Sequence, residues 1–387
     1  MDGPAWPDLR QWHGRPRGRS RPQAAECGTR REFRAGSKAV TSGCVGYRGA
    51  AIVPRMADTS EQQAGQQDVW TVGRLLEWTT QWFDQKQVEG GRLAAELLLA
   101  KALACRKIDL YTRWQVEPDE AQRSLFRELV RSAARHVPIA YLLGVREFFS
   151  LEFEVTPAVL IPRPETETLV QRMVDLCRAS AERTWEILDV GTGTGCVAVA
   201  IAKYAANARL VAGDVSSEAV EVARRNVARH GLDRRIQVLQ ADCVALPADA
   251  TPAEGFDAIV SNPPYISEAD WRTLPPHIRD HEPRIALTQE GSDGLVLYRR
   301  LAAEAPSILK SDGYLLAEIG HKQLADVRSV FDTAGGWRFV GSHRDAGPCA
   351  AETEGTLETC SDGIDNDCDY QWDCSDPGCS GVGSCPL

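Results

Sequence analysis

Asn262-Pro263-Pro264-Tyr265 follows a short apolar run, Phe256 to Ser261, and places two hydrogen-bond acceptors at one turn. These are the Asn262 side-chain oxygen and the backbone carbonyl of Pro263; the prolines restrict the backbone so that both can face one spot. An amide or amino nitrogen is a poor nucleophile because its lone pair is delocalised. Two acceptors that grip its N–H groups hold it in line for attack and favour pyramidalisation, which is what nitrogen alkylation requires. Tyr265 supplies a flat wall for a planar acceptor group. No strong base is needed, since the proton becomes acidic once the new bond has formed. Asn262, Pro263 and Tyr265 are thus the candidate catalytic residues, and Asn262, Pro263, Pro264 and Tyr265 the candidate acceptor site. An ordinary two-proline turn is the competing reading.

A second set of residues would place a donor. Asp189-Val190-Gly191-Thr192-Gly193-Thr194-Gly195-Cys196 lies between a strand pattern and the helical stretch Val197 to Tyr204. Glycines there let the backbone approach a ligand, and the helix start offers free N–H groups. Cys196 stands where a dinucleotide fingerprint needs Gly or Ala, so the loop reads G-x-G-x-G instead. Asp214, ending the next strand, can accept from both ribose hydroxyls, and Asp242, ending the third, falls where an adenine ring would lie. Gly191, Thr192, Gly193, Thr194, Gly195, Asp214, Asp242, Cys243 and Asn262 are the candidate cofactor contacts. Solvated strand-end carboxylates and a plain tight turn are the alternatives. The seven histidines show no ligand spacing, and no metal is expected.

The elements that must position these residues follow from periodicity. Short strands at Ile187–Val190, Leu210–Gly213, Ile236–Leu239, Ala258–Val260 and Tyr314–Ile319 alternate with helical stretches, the pattern of a doubly wound α/β sheet. Upstream, Leu75, Leu76, Trp78 and Trp82, then Leu93, Leu97 and Leu98, then Leu125, Phe126, Leu129 and Val130 recur at helical spacing, with a helix start at Pro118-Asp119-Glu120. About four helices are expected. Residues 146–161 alternate, with Phe149, Leu151, Phe153 and Val155 on one side of a hairpin. The chain thus divides into an Arg-rich extension (1–55), a helical domain (56–145), a hairpin connector (146–167), the α/β domain (168–348) and a tail (349–387).

The two ends differ from the middle. Residues 1–55 hold eleven Lys/Arg against four Asp/Glu with no apolar period, and read as disordered; a transit peptide and an extension ahead of a natural start at Met56 are the alternative readings. Residues 350–387 hold nine Asp/Glu and no Lys/Arg. Six of the twelve cysteines crowd the last 39 residues, as in exported disulfide modules, whereas the other six read as reduced thiols. Asp365, Asp367 and Asp369 alternate as in a calcium loop, but Tyr370 replaces the glycine such a loop needs. No run of about 18 apolar residues exists, so no membrane span is expected.

The glycine loop, Asp214 and Asn262–Tyr265 together resemble class I N-methyltransferases. Pro138-Ile139-Ala140-Tyr141-Leu142-Leu143-Gly144, Ile161-Pro162-Arg163-Pro164-Glu165-Thr166-Glu167 and Glu282-Pro283-Arg284-Ile285-Ala286-Leu287 are more specific. They resemble the HemK/PrmC-type release-factor glutamine methyltransferases, and the resemblance runs from Val69 to Asp345. It implies a seven-stranded-type sheet, S-adenosylmethionine as cofactor, and N5 methylation of the glutamine in the Gly-Gly-Gln loop of class 1 release factors. It further implies cytoplasmic action, with the helical domain as the docking part; the chain is expected to be monomeric, without a nucleic-acid substrate. Where the family carries an aromatic residue on the adenine, this chain has Cys243, and its last strand has no counterpart here. Adenine-N6 methylation of nucleic acid is the alternative enzyme reading, although residues 56–349 are mildly acidic. An inactive cofactor-binding partner of translation factors is the alternative of another class.

Overall fold

The computed structural model describes residues 69–289 and 292–342. The expectations for residues 1–55, for the start at Met56 and for the Asp/Cys-rich tail lie outside these.

The helical part comprises α1 (Val72–Gln85), α2 (Gly91–Ala102), the single turn α3 (Asp109–Thr112), α4 (Glu120–Ala133) and the short α5 (Ile139–Leu143). The Thr71 side chain caps α1 by accepting from the Arg74 N–H. Asp119 and Gln122 close a reciprocal capping box on α4, at the start read from the sequence. Val72, Leu75, Leu76 and Phe83 of α1 meet a core completed by Leu98, Leu99, Phe126 and Val130. Leu125, expected on a buried stripe, is exposed instead, at 41%, and Leu93, read only as part of a helical segment, is exposed at 49%. Both sit one position off the faces that the shorter helices turn inward.

A hairpin follows, β1 (Val145–Phe148) against β2 (Leu151–Glu154). Phe149 and Ser150 form its two-residue turn with φ of 50° and 59°, so Phe149 lies at the tip rather than on a strand face. Phe148 and Phe153 are the residues it buries. The bidentate Arg225–Glu154 pair and the Asn226 amide, which accepts from Glu154 N–H, pin the hairpin to the helix Ser217–Arg229.

The α/β part runs α6 (Glu167–Ala179), β3 (Trp185–Val190), α7 (Cys196–Tyr204), β4 (Ala208–Asp214), α8 (Ser217–Arg229), β5 (Ile236–Gln240) and β6 (Phe256–Ser261). Two short helices, α9 (Glu268–Trp271) and α10 (Pro276–Arg279), precede α11 (Val296–Glu304), β7 (Leu309–Ala317) and α12 (Leu324–Ala334). The five strands pair in parallel in the order β5-β4-β3-β6-β7. Each expected strand is present; β7 starts five residues before the expected Tyr314 and ends two short of Ile319. Alternation along β3 explains the two covered faces: Ile187 packs with Val170, Met173 and Val197 of α6 and α7, while Leu188 and Val190 pack with Leu297 and Leu301 of α11. This is the class I methyltransferase fold. After α12, residues 335–342 carry no strand, and Phe339 and Val340 are exposed.

The strand order reverses beside β3, with β4 on one flank and β6 on the other. In such sheets the carboxyl ends of the strands at this reversal open a crevice where ligands bind. The glycine loop leaves the end of β3, Asp214 ends β4, and Asn262 follows β6.

Candidate active site

The cofactor side is built from backbone. Gly191 and Thr192 N–H groups both donate to the Gly213 carbonyl, at 2.9 and 3.0 Å, which folds the loop over the end of β4. Gly191 and Gly193 have φ of 74° and 55°, and a Cβ on either would meet nothing within 4 Å. Their bare faces form an open cradle. Gly195 begins α7 and lies against Ala223 of α8. Thr192 and Thr194 are only 5% and 2% exposed and turn inward: Thr192 Oγ1 donates to Asp189 Oδ2 at 2.6 Å, and Thr194 Oγ1 accepts from Cys196 N–H. Their hydroxyls hold the loop.

Asp214 accepts from Gly193 N–H at 2.8 Å with one oxygen and from Ser216 N–H at 3.0 Å with the other. Each oxygen keeps a second lone pair for a hydroxyl. Burial raises its carboxyl above the ordinary range, against those backbone bonds. Asp189, fully enclosed, is pushed up to about 7, chiefly by burial and in part by the charge of Asp214. Asp242 pairs with Arg300 at 2.6 Å, so one of its oxygens is engaged. Cys243, with φ of 57°, is buried with Leu188 and Val190, and burial pushes its thiol up to about 11. Residues 242 and 243 thus form a wall beside the loop, apolar where Cys243 sits.

The acceptor side is built from side chains. Ser261 Oγ donates to the Val190 carbonyl at 2.9 Å, which ties the end of β6 to the end of β3 beside the glycine loop. Asn262 Nδ2 donates to Thr166 Oγ1 at 3.0 Å, leaving Oδ1 for another partner. Tyr265 is held twice: its hydroxyl donates to Glu318 Oε1 at 3.2 Å, and its carbonyl accepts from Gln323 Nε2 at 2.9 Å. Burial and then the Glu318 charge push its phenol far above the usual range, so it remains a donor. The next residue, Ile266, donates its N–H to the Leu287 carbonyl.

Residues 74–144 match the PrmC N-terminal domain, and residues 165–312 match the methyltransferase small domain. A release factor glutamine methyltransferase of Rhodopirellula baltica is 41% identical over 287 residues, covering 74% of this chain and 94% of that protein. The chain belongs to the release factor glutamine methyltransferase family. Two further proteins of that name are each 38% identical to it. The one from Geobacter sulfurreducens covers 69% of this chain and 90% of its own length. That from Chlorobaculum tepidum covers 70% and 92%. The family read from the sequence motifs is therefore the correct one, and neither alternative reading is favoured.

The three family segments have specific tasks around the acceptor turn. Glu282 is buried, accepts from Ile161 N–H and pairs with Arg163 at 2.5 Å, joining the segment before α6 to the loop after α10. Glu167 accepts from Phe149 N–H at the hairpin tip. Tyr141 donates to the Val159 carbonyl at 2.6 Å. Thr166, Glu318 and Gln323 were not singled out from the sequence as site residues. Glu318 and Gln323 sit in Glu318-Ile319-Gly320-His321-Lys322-Gln323, directly after β7, and a polar pair at a strand end was the available signal. Among the described residues no group of three or more His, Cys, Asp or Glu is placed to hold a metal.

Proposed function

We propose that this chain transfers a methyl group from S-adenosylmethionine to a release factor, at the side-chain amide nitrogen (N5) of the glutamine in its Gly-Gly-Gln loop. The observation that carries the reading is Asn262 at the sheet's switch point, its NH2 tied to Thr166 and its oxygen left for an incoming amide. The open Gly191–Gly193 cradle and the spare lone pairs of Asp214 fit the cofactor's backbone-hugging chain and ribose hydroxyls.

When bound, S-adenosylmethionine supplies an electrophilic methyl group on a sulfonium centre. Asn262 Oδ1 and the Pro263 carbonyl accept the two N–H groups of the glutamine amide and turn its nitrogen lone pair toward that centre. The Tyr265 ring flanks the planar amide. Bond formation at nitrogen, matched by cleavage of the methyl–sulfur bond with its electron pair left on a neutral thioether, gives the amide one proton in excess, which passes to water, so no side chain of the site ends in a changed protonation state. Thr192 and Thr194 hold the loop, while Asp242 and Cys243 bound the adenine side.

The helices α1 to α5, within the 56–145 division read from the sequence, are the proposed docking surface for class 1 release factors, and the α/β part, within 168–348, is the proposed catalytic domain. Action in the cytoplasm accords with the free thiols of Cys105, Cys177, Cys196 and Cys243 among the described residues; the chain is also proposed to be a monomer. No helix of the described residues is long and apolar enough to cross a membrane.

The full chain, methyl-labelled cofactor and a purified release factor, with nucleic acid as competing acceptor, test this. Label is expected in the release factor alone. Label in nucleic acid, or in neither acceptor, would overturn the reading.

A further inference from the structure

Thr166 ends the 3-10 turn Pro164–Thr166, which runs directly into α6 with helical backbone, and its hydroxyl makes no capping bond to the helix. It is 3% exposed, and its oxygen lies 2.6 Å from Glu318 Oε2 and 3.0 Å from Asn262 Nδ2. A hydroxyl has a single hydrogen, and an ionised carboxylate can only accept. The Thr166 hydrogen is therefore committed to Glu318, and toward Asn262 the same oxygen presents lone pairs alone. Only the NH2 end of the Asn262 amide can meet it. A flipped amide would set oxygen against oxygen with no hydrogen between them.

Glu318 is itself fixed. Its N–H donates to the Ser261 carbonyl at 3.0 Å, and its carbonyl accepts from the fully buried Tyr298 hydroxyl at 2.7 Å. Its second carboxylate oxygen accepts from Tyr265. The asparagine and the tyrosine of the acceptor turn are thus both referred to one carboxylate at the end of β7.

We propose that Thr166 and Glu318 are positioning residues that set the hydrogen-bond polarity of Asn262, turning its Oδ1 toward the acceptor amide. Neither touches the reacting atoms. The inference rests on the proposed function, because it needs Asn262 to accept from a substrate N–H.

The test compares Thr166→Val, which keeps shape and removes the hydroxyl, with Thr166→Ser, which keeps the hydroxyl, in the full chain with a release factor as acceptor. Thr166→Val is expected to lower kcat by about 100-fold, the scale of losing one preorganised hydrogen-bonding partner. Its KM for the release factor and its cofactor Kd should change by no more than about twofold. Thr166→Ser should restore most of the turnover. In an Asn262→Ala background, Thr166→Val should add nothing further, since it acts through Asn262. Equal impairment of the Val and Ser variants, additive loss in the double variant, or unchanged kcat in Thr166→Val would each overturn the proposal. A wild-type chain that labels no release factor would instead overturn the functional reading, so the two failures are distinguishable.

Discussion

In the glycine loop the stabilising partners are near in sequence: Gly193 is held by Asp214, 21 residues on, and Thr192 by Asp189, three residues back. In the acceptor turn they are distant: Asn262 is 96 residues from Thr166, Thr166 is 152 from Glu318, and Tyr265 is 53 from Glu318. One pocket is a local motif with open backbone; the other is assembled from three separated segments whose side chains fix one another. A cofactor common to many enzymes can be held by a loop that folds with its own strand. An amide that must be oriented for attack requires acceptors whose direction is set from outside the turn.

Substitutions on the two sides should therefore separate binding from turnover. The largest effect is expected for Asn262→Ala, which removes the acceptor proposed for the reacting centre. Comparable losses of a preorganised hydrogen-bonding group cost about 2.7–4 kcal/mol in the transition state. Cofactor affinity by titration calorimetry should stay near the wild-type value, and a parallel fall in both would erase the distinction.

On the other side, Asp214→Ala should weaken cofactor binding by about 1.5–3 kcal/mol, the range for hydrogen bonds to a charged group. The Gly193 N–H loses its acceptor in the same step, so local hydrogen exchange in the loop should rise. Unaltered affinity would remove Asp214 from the ribose site.

Gly294→Ala sharpens the comparison from behind the acceptor turn. Gly294 has φ of 85°, and a Cβ there would lie 2.4 Å from the Tyr265 carbonyl oxygen. A non-glycine residue in that region costs about 1–3 kcal/mol before any clash. Thermal unfolding should occur earlier and turnover should fall, while cofactor affinity is retained. A variant that turns over normally would show that the turn tolerates displacement.

A pH dependence of stability is expected on the cofactor side. Because the Asp189 pKa is raised in the folded chain to about 7, the folded state holds a proton that the unfolded state releases near pH 4. Stability from this group therefore falls as pH rises from about 4 to about 7, then levels. The melting temperature of Asp189→Asn, measured without cofactor, should gain on the wild type across that window and keep a constant lead above it. A lead that does not vary with pH would contradict the assignment.

The same contrast explains what could be read from the sequence. The strands, the glycine loop, Asp214 and the Asn262–Tyr265 turn were legible because each rests on local period or spacing. Thr166 sat inside a family segment, yet no spacing links it to Glu318; only the folded sheet brings α6 beside the end of β7. The face of α4 was legible to within one residue, which is why Leu125 was misplaced while Phe126 was not. Phe149 was misread because alternation continues through a two-residue turn, where both residues adopt left-handed backbone.

The most direct measurement of the central claim is fragmentation mass spectrometry of a release factor after incubation with the full chain and S-adenosylmethionine, beside an Asn262→Ala reaction. The expected result is one methyl increment on the amide of the Gly-Gly-Gln glutamine with the wild type, accumulating about 100-fold or more slowly with the variant. A methyl group on another residue, or equal methylation by the variant, would contradict it.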